Sequence, residues 1–349
     1  MSGPLATAAV LLLALGFAAP LHADSSSPSA AERAKGPAPE AVKSAVRRAA
    51  VLMQKSGAEY LRHRECFSCH HQGVPILALS TARARGFEVD EEGLQRQVRF
   101  TADFLAKNRE NYEKGRGQGG QADTAGYALW ALEAGGWKPD ETTSAVAEYL
   151  LLRDKDQDHW RTVSKRPPSE ASSFTTTYLA LRGLRVFGIE AQQERIAGRT
   201  EQVRRWLRAA PAVDTEDRVF RLWGLKYADA DDKEIQAAAQ ELLRTQRQDG
   251  GWTQTDDLES DAYATGSALA ALHLAGGLPT SDPAYQRGMT FLIASQLEDG
   301  SWLVRSRSRP FQLYFESGFP HGKDQWISST ATAWAVMALA LACPPAADK

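Results

Sequence analysis

One short apolar phrase recurs six times along this chain of 349 residues, and that recurrence limits its fold more than any other feature. Clear copies are Ala125-Gly-Tyr-Ala-Leu-Trp-Ala-Leu132, Thr177-Tyr-Leu-Ala-Leu-Arg-Gly-Leu184, Thr265-Gly-Ser-Ala-Leu-Ala-Ala-Leu272 and Thr332-Ala-Trp-Ala-Val-Met-Ala-Leu339. Weaker copies begin at Gln72 and Arg218. Each phrase is rich in small residues and apolar nearly all round, so each predicts a fully buried helix. Between them run stretches with one apolar and one charged face, such as Thr200 to Leu207 and Asp232 to Leu243. Those predict outer helices, half in solvent. Repeats of this kind bury their apolar faces only by stacking on one another.

Two copies carry a further signature ahead of the buried helix: Gln246-Arg-Gln-Asp-Gly-Gly-Trp252 and Gln296-Leu-Glu-Asp-Gly-Ser-Trp302. Asp-Gly supplies a helix stop and a tight turn, under which the Trp can pack and join outer helix to inner helix. Gln-x-x-Asp-Gly-x-Trp followed by Thr-Ala-x-Ala-Leu resembles the repeats of squalene–hopene cyclases and of the β-subunits of protein prenyltransferases. The resemblance implies an all-α fold, an α/α toroid of about six inner and six outer helices, over residues 41–345. A solenoid of the same hairpins is the competing architecture.

Composition narrows the function classes. Lys and Arg number 41 against 43 Asp and Glu, a net charge of −2, which gives no basic footprint for nucleic acid. An apolar content of 43% with nine Trp excludes a disordered chain. Three Cys cannot staple a fold of this size, so the core must be hydrophobic. Residues 1–23 read as a secretory signal peptide: Leu5 to Ala19 is apolar, and Leu21-His22-Ala23 places a small residue for cleavage after Ala23. An uncleaved anchor is the alternative, although the run is short for a bilayer span. Residues 24–40, rich in Ser, Ala and Pro, read as a disordered leader. The mature protein is expected to be periplasmic or secreted. It would keep no stable membrane span after cleavage, since Ala331 to Ala342 is too short for one.

In the resembled families the chemistry lies at one end of the central cavity, where the inner helices begin. The positions ahead of the six phrases hold Ser68, Cys69, His70 and His71; Asp123; Asp214, Thr215, Glu216 and Asp217; Asp261 and Tyr263; and Ser328 to Thr330. Cyclases of this kind protonate a double bond with the middle Asp of Asp-x-Asp-Asp. The literal copy, Asp229-Ala-Asp231-Asp232, follows an inner helix rather than preceding one, so it reads as an N-cap with Glu234 at the box position. Asp217, Glu216 and Asp261 stand in the proper register and are the candidate catalytic acids. Carboxylates in a first helical turn are also what the helix dipole favours on structural grounds. The prenyltransferase zinc site is not carried: Asp261 matches its Asp, but Tyr263 stands where its Cys belongs and Ala331 where its His belongs.

The chain offers instead Cys66-Phe-Ser-Cys69-His70-His71. Cys-x-x-Cys-His at 66–70 is the attachment signature for c-type haem. Cys66 and Cys69 would bond the haem, and His70 would ligate its iron, with His71 as the alternative ligand. Met53, His63 and His321 are candidate sixth ligands, and Met337 is expected in the core. The same residues could hold zinc or form a local disulfide. Three functions follow from these residues. One is an exported haem toroid with an electron-transfer partner and an apolar small molecule in its cavity. Another is a haem-free, terpenoid-cyclase-like enzyme. The third is a non-catalytic binding or scaffold ring.

Two loops complete the picture. Arg305 to Trp326 stretches the last repeat and carries Phe311, Tyr314, Phe315, Phe319 and Trp326, enough to form a lid or to pack beside the first repeat. Lys114 to Gly120 is a flexible loop before Asp123. The repeat register predicts that His70, His71, Asp123, Glu216, Asp217 and Asp261 share one end of the ring. The dipoles there would hold the carboxylates ionised.

Overall fold

A computed structural model describes residues 36–310 and 313–346, together with Met1 and Gly3. The signal peptide, most of the leader and Phe311 lie outside the described residues. Outer and inner helices alternate along the chain. The first pair is α1 (Pro39–His63) and α2 (Val74–Ala84), the latter entered through a π-helical turn at Cys69–Gly73. Then come α3 (Glu91–Ala106), the short α4 (Arg109–Glu113) and α5 (Gln121–Ala134). The pairs α6 (Glu141–Leu152) with α7 (Ser173–Phe187) and α8 (Gln193–Ala209) with α9 (Thr215–Tyr227) follow. The last are α10 (Asp232–Leu243) with α11 (Ala262–Leu274) and α12 (Pro283–Ser295) with α13 (Gln325–Leu341).

The inner helices α2, α5, α7, α9, α11 and α13 each pack on the next, and α13 returns to α2. The ring therefore closes, and the architecture is an α/α toroid, not a solenoid. Small residues permit this closeness. A Cβ on Gly266 of α11 would stand 2.5 Å from the Trp334 carbonyl carbon of α13, so only Gly lets these two backbones meet. The inner helices are buried on nearly every side, as their composition dictates.

The Trp signature forms the joints. Trp252 donates its indole N–H to Leu242 O at 3.0 Å, at the end of α10, while its backbone N–H donates to Thr265 Oγ1 of α11 at 2.9 Å. Trp302 repeats both bonds with Leu292 O at 2.8 Å and Thr332 Oγ1 at 3.1 Å. Trp160 makes the same pair with Leu150 O and Thr177 Oγ1, a third joint whose sequence lacks the Asp-Gly turn. The joint at Trp302 also closes the ring. Gln296 donates to Ala45 O of α1 at 3.0 Å, and Gly300, at φ +87°, lies against the Arg48 backbone.

Five of the six inner helices begin earlier than their phrases; α2 begins at Val74, behind the π-turn that holds Gln72. Asp214 and Asp261 are N-caps, Asp123 lies in the first turn of α5, and Ser328 to Thr330 sit inside α13. Asp231 caps α10, and Glu234 completes a capping box. Among the described residues no helix is long and apolar enough to cross a membrane.

Candidate functional site

The end of the ring where the inner helices begin holds a cavity of about 400 Å³. One wall is Cys66 to His71, a second is Arg166 and Glu170 from the loop joining α6 to α7, and a third is the insertion before α13. Tyr60, Phe67, Phe315 and Trp326 make the walls largely aromatic, and Arg309 and Lys323 add charge. Of the two roles expected of it, the insertion takes the packing beside the first repeat. It lines the cavity, and it clasps α1 through Arg64, which donates to Leu313 O and sits 4.0 Å over the Phe315 ring. Ser56 of α1 donates to Ser317 O at 3.2 Å on the same seam.

The structure brings His70, His71, Asp123, Glu216, Asp217 and Asp261 to this one end, yet it does not turn the acids into the cavity. Asp123 accepts from Thr176 Oγ1 at 2.5 Å. Glu216 accepts from Thr175 Oγ1 at 2.8 Å and Tyr263 OH at 3.1 Å, which ties α9 to α7 and to α11. Asp217 accepts from Ser172 Oγ at 2.6 Å, and Asp261 from the Ala264 N–H at 2.9 Å. None of the four lines the cavity; each staples one helix to a neighbour or caps its own.

Nor are these carboxyls uniformly held ionised, as the dipole argument expects. Burial pushes Asp123 up to about 7, Asp261 up to about 6, and Glu216 well above the usual carboxylate range. The reason is magnitude. A helix terminus contributes about 0.3–1 kcal/mol, whereas removing a carboxylate from water shifts its pKa by several units.

The Cys-His segment folds differently from a simple ligand cluster. Ser68 caps the π-turn by accepting from the His70 and His71 N–H groups at 3.2 Å each. His70 directs Nε2 to Ser169 Oγ at 3.0 Å, lies 3.8 Å from Glu170, and meets Trp326 edge-on with ring centroids 4.5 Å apart. Burial holds His70 well below its ordinary pKa and brings His71 down to about 4, so both rings are neutral. His71 leans on Tyr60, and its Nδ1 is buried without a partner. Cys66 is exposed, Cys69 is buried, and both are free thiols, so the local disulfide is not formed. Burial and the Glu170 charge push the Cys69 thiol up. Among the described residues no three His, Cys, Asp or Glu side chains converge as metal ligands. Of the sixth-ligand candidates, Met53 is buried in α1, His63 pairs with Glu59, and His321 bonds Ser301 Oγ at 2.7 Å; none lines the cavity.

Sequence reasoning missed Glu170, Arg166 and Ser169. Two buried acids line the cavity, Glu170 and Asp324. Glu170 pairs with Arg166, and burial raises it. Asp324 accepts from the Ser306 N–H at 2.8 Å. Trp160 was the available signal. As a degenerate copy of the Trp joint, it marks the loop after α6 as equivalent to those that frame the ring's mouth.

Comparison with known proteins agrees with this architecture. Residues 204–348 match the model of the squalene-hopene cyclase C-terminal domain. A squalene–hopene cyclase of Zymomonas mobilis subsp. mobilis is 32% identical over 131 residues, 37% of this chain. The match spans only 18% of that cyclase's length. The type II terpene cyclase MstE from Scytonema superposes with a TM-score of 0.55 at 14% identity, covering 88% of this chain and 99% of that one. MstE variants solved with geranylgeranyl dihydroxybenzoate as substrate, or with merosterolic acid A as product, give TM-scores of 0.53 and 0.52 at 14% identity; each match covers 86% of this chain and 99% of that one. The chain thus has the α/α-toroid fold of these cyclases, and its C-terminal part is similar in sequence to squalene–hopene cyclases.

Proposed function

We propose that this protein is a binding toroid, which holds an apolar small molecule in the cavity at the mouth of the ring and does not cyclise it. The observation that carries the reading is the division of labour there. The aromatic walls face the cavity, while Asp123, Glu216, Asp217 and Asp261 face neighbouring helices. Alkene protonation needs a neutral carboxyl aimed at the substrate. Two carboxyls do line the cavity: Glu170 is paired with the Arg166 guanidinium, which opposes its neutral form, and Asp324 is engaged by the Ser306 N–H of the insertion at 2.8 Å. A cavity of about 400 Å³ is within the ordinary range for small-molecule sites. Titration with geranylgeraniol, followed by tryptophan fluorescence, should saturate, and Phe315→Ala should weaken it about tenfold, the scale of one lost aromatic wall. A cyclised product from squalene, lost in Glu216→Gln or Asp217→Asn, would overturn the proposal in favour of a cyclase.

A second reading, covalent c-type haem in an exported redox protein, is favoured by one observation. Cys66 and Cys69 are both free and line the same cavity as His71, whose Nδ1 lacks a partner. The donor set fits in part only. Both thiols line the cavity, but Cys69 is buried, and His70 turns its Nε2 to Ser169 and would have to leave it. A haem brings one-electron chemistry when bound; the chain's contribution would be Cys66 and Cys69 as anchors and aromatic walls that exclude water. Protein made in a host with haem-attachment machinery should keep a haem stain after denaturation, and Cys69→Ala should lose it. A colourless product rejects this reading and leaves the first standing.

A further inference from the structure

At the opposite end of the ring, where the inner helices finish, a second cavity of about 680 Å³ opens. Its floor includes Trp130 and Trp223, with ring centroids 6.3 Å apart, and Tyr227. This aromatic cage already contains a cation. The Arg182 guanidinium lies 5.0 Å over Trp130 and 4.8 Å over Tyr227, held by Glu133 at 2.5 and 2.9 Å and bonded to Tyr178 OH at 2.7 Å. A cationic ligand would meet that charge at close range, so the floor favours a neutral, apolar body.

The rim carries Arg85, Arg185 and Lys226. Cations at helix C-termini are what the dipole favours, and on their own they mark nothing. Asp229 breaks the pattern. It stands two residues past the end of α9, at φ +53°, a conformation in which Gly or Asn is usual. It also sets a carboxylate at the negative end of the helix dipole, against the electrostatic preference. That carboxylate pairs with Arg185 at 2.8 Å and lines the cavity. A second, independent feature is the indole N–H of Trp223, buried on the floor without a partner.

We infer that this cavity is a separate binding site for a long-chain carboxylate, and that Asp229 is a built-in stand-in for the ligand's head group. The chain would lie on Trp130, Trp223 and Met337, and the ligand carboxylate would take Arg185 and Lys226 as Asp229 swings into solvent. The two ends of the ring then serve different molecules, and this inference does not rest on the mouth proposal.

Dodecanoate below its micelle concentration, with dodecanol as the neutral control, tests it through quenching of the floor tryptophans. Dodecanoate should bind saturably and about tenfold tighter than dodecanol, and Lys226→Gln should remove about that factor, the scale of one charge-assisted contact. Asp229→Asn suits the backbone at that position and removes the competitor, so it should bind dodecanoate at least about threefold tighter. Equal binding of dodecanol, or an Asp229→Asn variant that binds no tighter than the wild type, would overturn the assignment. Loss of dodecanoate binding in Phe315→Ala would move the ligand to the mouth and overturn it as well.

Discussion

At pH 8 the protein should be more stable with Asn at position 123 than with its own Asp, and at pH 4 it should not. Asp123 is fully buried beneath the first turn of α5, and burial raises it to about 7 against the lowering effect of the Thr176 and Thr162 hydroxyls. An unfolded Asp titrates near 3.9. The folded state therefore binds this proton more tightly than the unfolded state does. The resulting stability is complete below about pH 3.9 and disappears as the pH rises through about 7. At pH 8 the buried carboxylate costs about 4 kcal/mol, from about three pKa units at 1.36 kcal/mol each. Asn carries no such cost and loses about 1 kcal/mol of hydrogen bonding, so the net gain is about 3 kcal/mol. With a urea m-value of about 3 kcal/mol/M, the midpoint should rise about 1 M at pH 8. The assay is urea unfolding of both proteins at pH 4 and pH 8, followed by tryptophan fluorescence. Glu216 and Asp214 are also raised by burial, but they cancel in the difference between the two proteins. Glu170 does not cancel: its charge helps to raise Asp123, so removing the Asp123 carboxylate relieves that repulsion and adds to the gain at pH 8. Parallel pH profiles would mean that Asp123 is ionised in the fold, and that burial does not override the helix dipole.

Ring closure makes its own prediction. Gly300→Ala should cost about 3 kcal/mol, because the left-handed backbone alone costs about 1–2 kcal/mol and the new Cβ meets the Arg48 carbonyl carbon. Gly277→Ala, at φ +71° with open space around it, should cost only about 1 kcal/mol, and equal losses in urea unfolding would refute the tight seam. Native protein should show one fast thiol toward a water-soluble disulfide reagent, the exposed Cys66, while buried Cys69 and Cys343 wait for unfolding; two fast thiols would contradict the described mouth. Trp160→Phe should lose about 1–2 kcal/mol by orphaning Leu150 O, and an unchanged midpoint would show that this third joint is not equivalent to the other two.

The ring was legible in the sequence because its cause is local. A helix apolar on every side has nowhere to go but inside, and six of them separated by amphipathic helices must stack. The joints at Trp252 and Trp302 were legible too, since Asp-Gly and Trp act within seven residues. Trp160 was not, because its bonds to Leu150 and Thr177 survive without the glycine turn that advertised the others. Most inner-helix starts were placed several residues late, since the first turn of an inner helix is polar where it reaches its neighbours. Asp261 and Asp214 are caps for that reason.

Orientation was the part the sequence could not carry. Register puts Glu216 and Asp217 at the mouth, and they are there, but which way a carboxyl turns depends on hydroxyls contributed by other helices. Thr175 and Ser172 arrive from α7, and Tyr263 from α11, each more than forty residues away. The same is true of His70, whose tie to Ser169 spans 99 residues. A one-dimensional pattern reports the face on which a residue stands; the partner that disarms it is written elsewhere in the chain. That is why a ring carrying acids in a cyclase-like register can still present, at its mouth, an aromatic pocket whose two carboxyls come from loops outside that register, Glu170 already held by an arginine and Asp324 by a backbone N–H.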